Sequence, residues 1–265
     1  MVMHSRATDR RNASQMAGKI ARSTPRPPFG SPVVRVAAGS SRLASREARK
    51  SLLFTPVRVS SGECRMNNNH ASTRLQNDPR WRRLHDRPWV CPSCGATHVG
   101  TFDLAYAKPH AWPGSEEYGP NSAASTSTHF LSEDFCVLND EHYFVRCILE
   151  LSILGADNEC FAFGTWSTLS KKNFALYTET FDSGDQGELG PWFGWFSNRL
   201  RGYPDTFNLK CQVHPRSGRR RPYIQLEPID HPLVREQRNG ITFDRLLEIY
   251  AIHGHDLQAA LTNLD

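Results

Sequence analysis

No stretch of the sequence approaches the roughly 18 consecutive apolar residues of a membrane span, and no apolar segment follows the basic start as a secretory leader requires. The expectation is a protein that works in the cytoplasm, away from membranes. Equally missing are the short motifs of common chemistries: no Gly-rich phosphate loop, no GxSxG, no dinucleotide fingerprint and no HExxH. The seven cysteines are odd in number and irregularly spaced, which argues against a disulfide scaffold and for a reducing compartment.

Acidic residues are scarce at one end. Residues 1–65 carry 13 Lys and Arg against three acids (Asp9, Glu47, Glu63), which leaves 19 against 24 for residues 66–265. The net charge of +5 is therefore a property of the first segment, and the remainder is acidic. Nucleic acid is not expected as a partner, because such a reading would rest on that segment alone. The segment is rich in Arg, Ser, Ala and Pro and lacks helical or strand periodicity. Three readings of it stand: a disordered tail, an organellar presequence, or an over-extended start with translation beginning at Met66.

Residues 66–265 read as one α+β domain. In "HYFVRCILEL" Tyr143, Val145, Cys147, Leu149 and Leu151 alternate with a second face of His142, Phe144, Arg146, Ile148 and Glu150, the period of a strand. "FCVL" before it, joined through Asn139-Asp140, predicts a two-residue hairpin. Further strands are expected at 160–168, 206–214 and 223–228. Helices are expected at 170–181, capped by Ser170; at 230–240, capped by Asp230; and over "TFDRLLEIYAIHG", where Phe243, Leu246, Leu247 and Tyr250 share a face. The pattern predicts a mainly antiparallel sheet with helices on one face, its core spanning 132–255. Residues 105–131, rich in turn formers, predict an irregular lid or insertion.

Residues 87–100, "RPWVCPSCGATHVG", have the form of a zinc knuckle. Two residues between Cys91 and Cys94 let both sulfurs reach one ion, and Gly95 permits the left-handed turn after them. His98 is a candidate third ligand and Cys136 a candidate fourth. Cys211 and His214 point to opposite faces of an extended strand, so one ion could take both only across a bulge, and Cys211 reads as core. Three states are open: a structural zinc, a knuckle-like turn without metal, and a redox dithiol. The last expects a βαβ context that the sequence lacks.

The aromatic stretch "GELGPWFGWFSNRLRGYPDT" is the candidate binding surface, with Trp192, Trp195, Asn198, Arg199, Tyr203 and Asp205 as its residues. The alternative is that its rings complete the core and Arg199 pairs with Asp205. Asp140, Glu141 and His142 read as a solvated hairpin tip.

The order of "RPWVCPSCGATHVGTFDLA", "SEDFCVLNDEHYFVRCILEL", "FGTWSTLSKKNF", "GPWFGWFSNRLRGYPDTFNLK" and "LEPIDHPLVREQRNGITFDRLLEIY" resembles an uncharacterised bacterial family, domain of unknown function 2199, over about residues 78–255. The resemblance implies a bacterial cytosolic setting and a stand-alone small α+β domain, and it carries no catalytic residues. The expectation is thus a non-enzymatic domain that binds a protein or a small molecule. Its rivals are a small hydrolase-like enzyme with a cleft at 192–205 and an immunity-type protein that neutralises a toxin.

Overall fold

The computed structural model describes residues 75–115, 118–119, 122–157, 159–258 and 261; the readings of residues 1–65 lie outside them. A single 3-10 turn at Leu75–Asn77 leads into α1 (Pro79–His85). Asp78 caps this helix by accepting from the Arg80 N–H, and Pro79 occupies its first turn, where a missing N–H costs nothing. The strands β1 (Trp89–Val90), β2 (Thr97–His98), β3 (Leu104–Ala105), β4 (Ala124–Ser125), β5 (His129–Leu131), β6 (Phe135–Leu138), β7 (His142–Ser152) and β8 (Cys160–Leu169) follow. Then come α2 (Lys171–Phe181), β9 (Trp192–Trp195), β10 (Lys210–Arg216), β11 (Arg220–Leu226), α3 (Pro232–Asn239) and α4 (Phe243–Ile252).

β1 and β2 form their own hairpin, and the other strands make one sheet. β7 pairs along almost its whole length with β8, while its other edge is shared by β6 and, further along, β11. β10 and β9 continue the sheet, and a bridge between Ser167 and Phe196 brings β9 back against β8, closing a ring of strands. The β11–β7 and β3–β8 pairings are parallel and the rest antiparallel, so the domain is α+β with a mainly antiparallel sheet.

The alternation of β7 decides which side is which. Val145, Cys147, Leu149 and Leu151 enter the main core, beside Phe161 and Phe163 of β8. Every buried apolar residue of the four helices joins this cluster, including Trp81, Tyr177, Leu233 and Tyr250, so the helices gather on one face. Phe144 and Trp166 point the other way into a second, smaller cluster with Trp112, Leu131, Cys136 and Leu138. The stretch expected to be an irregular lid thus supplies β4, β5 and Trp112, which cover the second face.

Three details differ from expectation. Asn139 and Asp140 do adopt positive φ (53° and 52°), but the loop has three residues, with Leu138 opposite His142. Cys136 therefore faces Phe144 rather than Tyr143, because a one-residue slip exchanges the faces of a strand. The cap of α3 is His231, whose Nδ1 accepts from the Leu233 N–H, while Asp230 pairs with Arg235 instead. The strand expected from 206 begins at Lys210, since Asn208 takes φ of 64°.

α1 is tied to the strands through His85 and Glu159, 3.1 Å apart. Burial disfavours the imidazolium, but the Glu159 carboxylate and the Trp81 carbonyl outweigh it and hold His85 above its ordinary 6.5. Burial likewise works against the Glu159 carboxylate, and His85 with Thr101 outweighs it, holding Glu159 below 4.5. A raised histidine stabilises the fold fully below 6.5 and loses this as pH rises through its folded value; a depressed carboxyl stabilises above 4.5 and loses this as pH falls. Glu159→Gln is therefore expected to lower the melting temperature most between pH 4.5 and 6.5 and least at about pH 8.5, roughly two units beyond the free imidazole. Melting curves at pH 5.5 and about pH 8.5 check this; equal losses would refute it.

Candidate metal centre

Two-residue strands cannot form a stable hairpin by themselves, so β1 and β2 depend on what anchors them. Their turn is closed by the Cys91 N–H donating to Ala96 O (2.8 Å) and the Gly95 N–H to Cys91 O (2.9 Å), with Gly95 at φ of 73°. Trp89 and His98 are opposite one another and both point inward. Phe102 stacks on His98 at 4.4 Å and on Tyr250 of α4 at 4.2 Å, a continuous column of rings. The Tyr250 hydroxyl donates to Phe102 O (2.7 Å) and accepts from the Phe102 N–H (2.9 Å), locking the hairpin's exit to the last helix.

This anchoring brings three donor atoms together. Cys91 Sγ, Cys94 Sγ and a ring nitrogen of His98 lie within 4.8 Å of one another, and Cys94 Sγ is 3.8 Å from His98 Nε2. Cys91 is fully buried and Cys94 lies at the surface. Burial pushes His98 below its ordinary value, so near neutral pH it presents the uncharged imidazole that binds metals. Burial, and then the adjacent Cys91 thiol, push Cys94 up: two thiolates side by side are costly unless a cation lies between them. The donor set of two sulfurs and an imidazole suits zinc among the common metals. Chemically, the arrangement can hold an ion and thereby fix the hairpin.

Cys136 does not belong to this group. It is fully buried in the second apolar cluster, and burial alone pushes its thiol to about 12, the behaviour of a small core hydrophobe. The sequence reading also passed over His255, whose Nδ1 lies 3.5 Å from Cys91 Sγ across 164 residues of chain. Its only trace in the sequence is the "HGH" that ends the last helical pattern, and nothing local connects it to the cysteines.

The residues of the aromatic segment lie together where the ring of strands closes, and their groups meet partners inside the protein. Trp195 is buried, and its N–H donates to Thr168 Oγ1 on β8 (3.0 Å). Gly194 passes so close to β8 that a Cβ there would lie 2.3 Å from Ser167 Oγ. Asn198, also buried, accepts from the Trp166 N–H (2.8 Å) and donates to Lys108 O (3.0 Å). Trp192 sets its ring against Tyr177. Arg199 pairs with Asp205 and covers the Phe207 ring, while the Tyr203 hydroxyl donates to Glu236 beneath the Arg245 guanidinium.

One half-buried carboxyl stands out beyond these. Burial pushes Asp103 to about 6, with the Ala162 N–H opposing and the charge of Glu150 adding to the rise. The Ala162 N–H donates to Asp103 Oδ1 at 2.8 Å, a bond an amide oxygen can also accept. Since a raised carboxyl weakens the fold as pH climbs from 3.8 through 6, Asp103→Asn is expected to raise the melting temperature at pH 7.5, by a few degrees, and to change it little near pH 3.5. Asn198→Ala, which strips partners from a buried N–H and a carbonyl, is expected to cost about 2–4 kcal/mol in denaturant unfolding. A loss under about 0.5 kcal/mol would show that the closure does not depend on it.

Fold and site together define an α+β protein with a candidate Cys/His metal centre. The chain belongs to the family described as uncharacterized protein conserved in bacteria, DUF2199, whose family model matches residues 90–241. The matched span includes Cys91, Cys94 and His98 and ends just before α4. Neither the curated proteins nor the solved structures yielded a match.

Proposed function

We propose that this protein is a non-enzymatic cytoplasmic binding domain whose N-terminal hairpin is fixed by a structural zinc ion, and that it acts on a protein or small-molecule partner by binding alone. The observation that carries the reading is the convergence of Cys91, Cys94 and His98 within 4.8 Å. Supporting it is the setting: the hairpin is too short to persist without anchors, and its inner side is packed with the rings of Trp89, Phe102 and Tyr250. A catalytic zinc site keeps a position open to water and usually a carboxylate base beside it. The inward His98 and fully buried Cys91, with Cys94 alone at the surface, favour a structural role over a catalytic one.

Protein purified without chelator is expected to carry one zinc per chain by elemental mass spectrometry, and the Cys91→Ser/Cys94→Ser form none. Chelation should lower the melting temperature of the parent and leave that of the double variant unchanged, because binding to the folded state alone stabilises it. A parent free of metal, or a double variant that keeps it, would refute the reading.

A further inference from the structure

We propose that His255 is the fourth ligand of this centre, so that the metal joins the hairpin after α1 to the chain that leaves α4. The inference rests on reading Cys91, Cys94 and His98 as metal ligands, and adds the residue that completes and closes the site.

The spacing of the donors suits a shared ion. A tetrahedral zinc with sulfur at 2.3 Å and nitrogen at 2.0–2.1 Å holds the two donors about 3.5 Å apart. Cys91 Sγ and His255 Nδ1 are separated by 3.5 Å, and Cys94 Sγ and His98 Nε2 by 3.8 Å. Each sulfur thus stands about one tetrahedral edge from a different imidazole; His255 lies outside the trio whose donors are all within 4.8 Å of one another, so a bound ion would draw its ring in on the Cys91 side.

The backbone is also built to deliver His255 there. α4 ends with Gly254 at φ of 88°, a left-handed turn that reverses the chain. The His255 N–H then donates to Tyr250 O at 2.8 Å, the bond that fixes such a helix end. One residue on, the Asp256 N–H donates to Ser93 Oγ at 3.2 Å, and Ser93 lies between the two cysteines. His255 is 3% exposed, and the Phe102 ring that stacks on His98 meets it edge-on at 5.1 Å. Phe102 therefore packs against both imidazoles.

The charges of such a set balance as well. Two thiolates, two neutral imidazoles and a divalent ion sum to zero, which suits a site whose first cysteine is fully buried. Four protein ligands leave no position for water, so the centre is structural, and zinc is the ion that prefers a tetrahedral set of two sulfurs and two nitrogens.

Zinc affinity of the full chain, measured by chelator competition, together with the spectrum of the cobalt-substituted protein, tests the assignment. His255→Ala is expected to weaken zinc binding by more than the roughly 10- to 100-fold typical of losing an outer-shell partner. His255→Cys is expected to restore tight binding and to raise the sulfur-to-cobalt charge-transfer intensity by about half, as thiolates go from two to three. That second variant also decides the matter if His255→Ala fails to fold. A parent that binds one zinc, with His255→Ala binding it equally tightly or His255→Cys leaving the charge-transfer band unchanged, overturns the role of His255 alone. A parent that binds no zinc, or Cys91→Ser/Cys94→Ser protein that still does, overturns the underlying reading as well.

Discussion

The hydroxyl of Tyr250 holds the two ends of the described chain in one structure. It is fully buried, and it satisfies both the N–H and the carbonyl of Phe102, 148 residues earlier. A phenol can do this because it is donor and acceptor at once, and burial, which pushes its ionisation well above the ordinary range, keeps the proton in place. Everything about the candidate metal centre follows from that junction. The hairpin of β1 and β2 is too short to hold a register alone, yet Phe102 stacks on Tyr250 and His98 stacks on Phe102, so the position of His98 is inherited from α4.

β7 is the second constraint. One of its faces joins the main core and the other the smaller cluster, so it is buried on both sides, and its two edges are taken by three strands. A strand so placed divides the molecule: helices cover one side, and the stretch carrying Trp112 and β5 covers the other. The ring that β9 completes against β8 leaves little room between the two, which is why Gly194 has no side chain and why Ser167, Thr168 and Asn198 spend their polar groups on backbone.

Much of this was legible in the sequence where local rules decide. The period-two pattern of β7, the cap at Ser170, and the apolar face of α4 each require only neighbouring residues, and each appears as the pattern predicts. α1 escaped because only Trp81 and Leu84 interrupt its basic residues, although Asp78 and Pro79 mark its start. The register of the β6–β7 hairpin slipped by one because a loop of two or three residues looks the same when both turn residues tolerate positive φ. At the candidate site, the spacing of Cys91, Cys94 and His98 was visible because the donors share one hairpin. His255 was not, since the contact depends on how α4 docks, and no local pattern encodes docking. The aromatic segment is ambiguous for a related reason: a closing strand and a pocket need the same rings, and composition does not say which way they face.

α1 and α4 are also neighbours. Trp81 of α1 packs edge-on against Phe243 of α4 at 5.1 Å, and Arg80 bonds Asp244 at 2.8 Å. Helices so distant in the chain and in direct contact cannot loosen independently, so fraying that begins at α1 is felt where α4 docks, and with it at the ring column that positions His98.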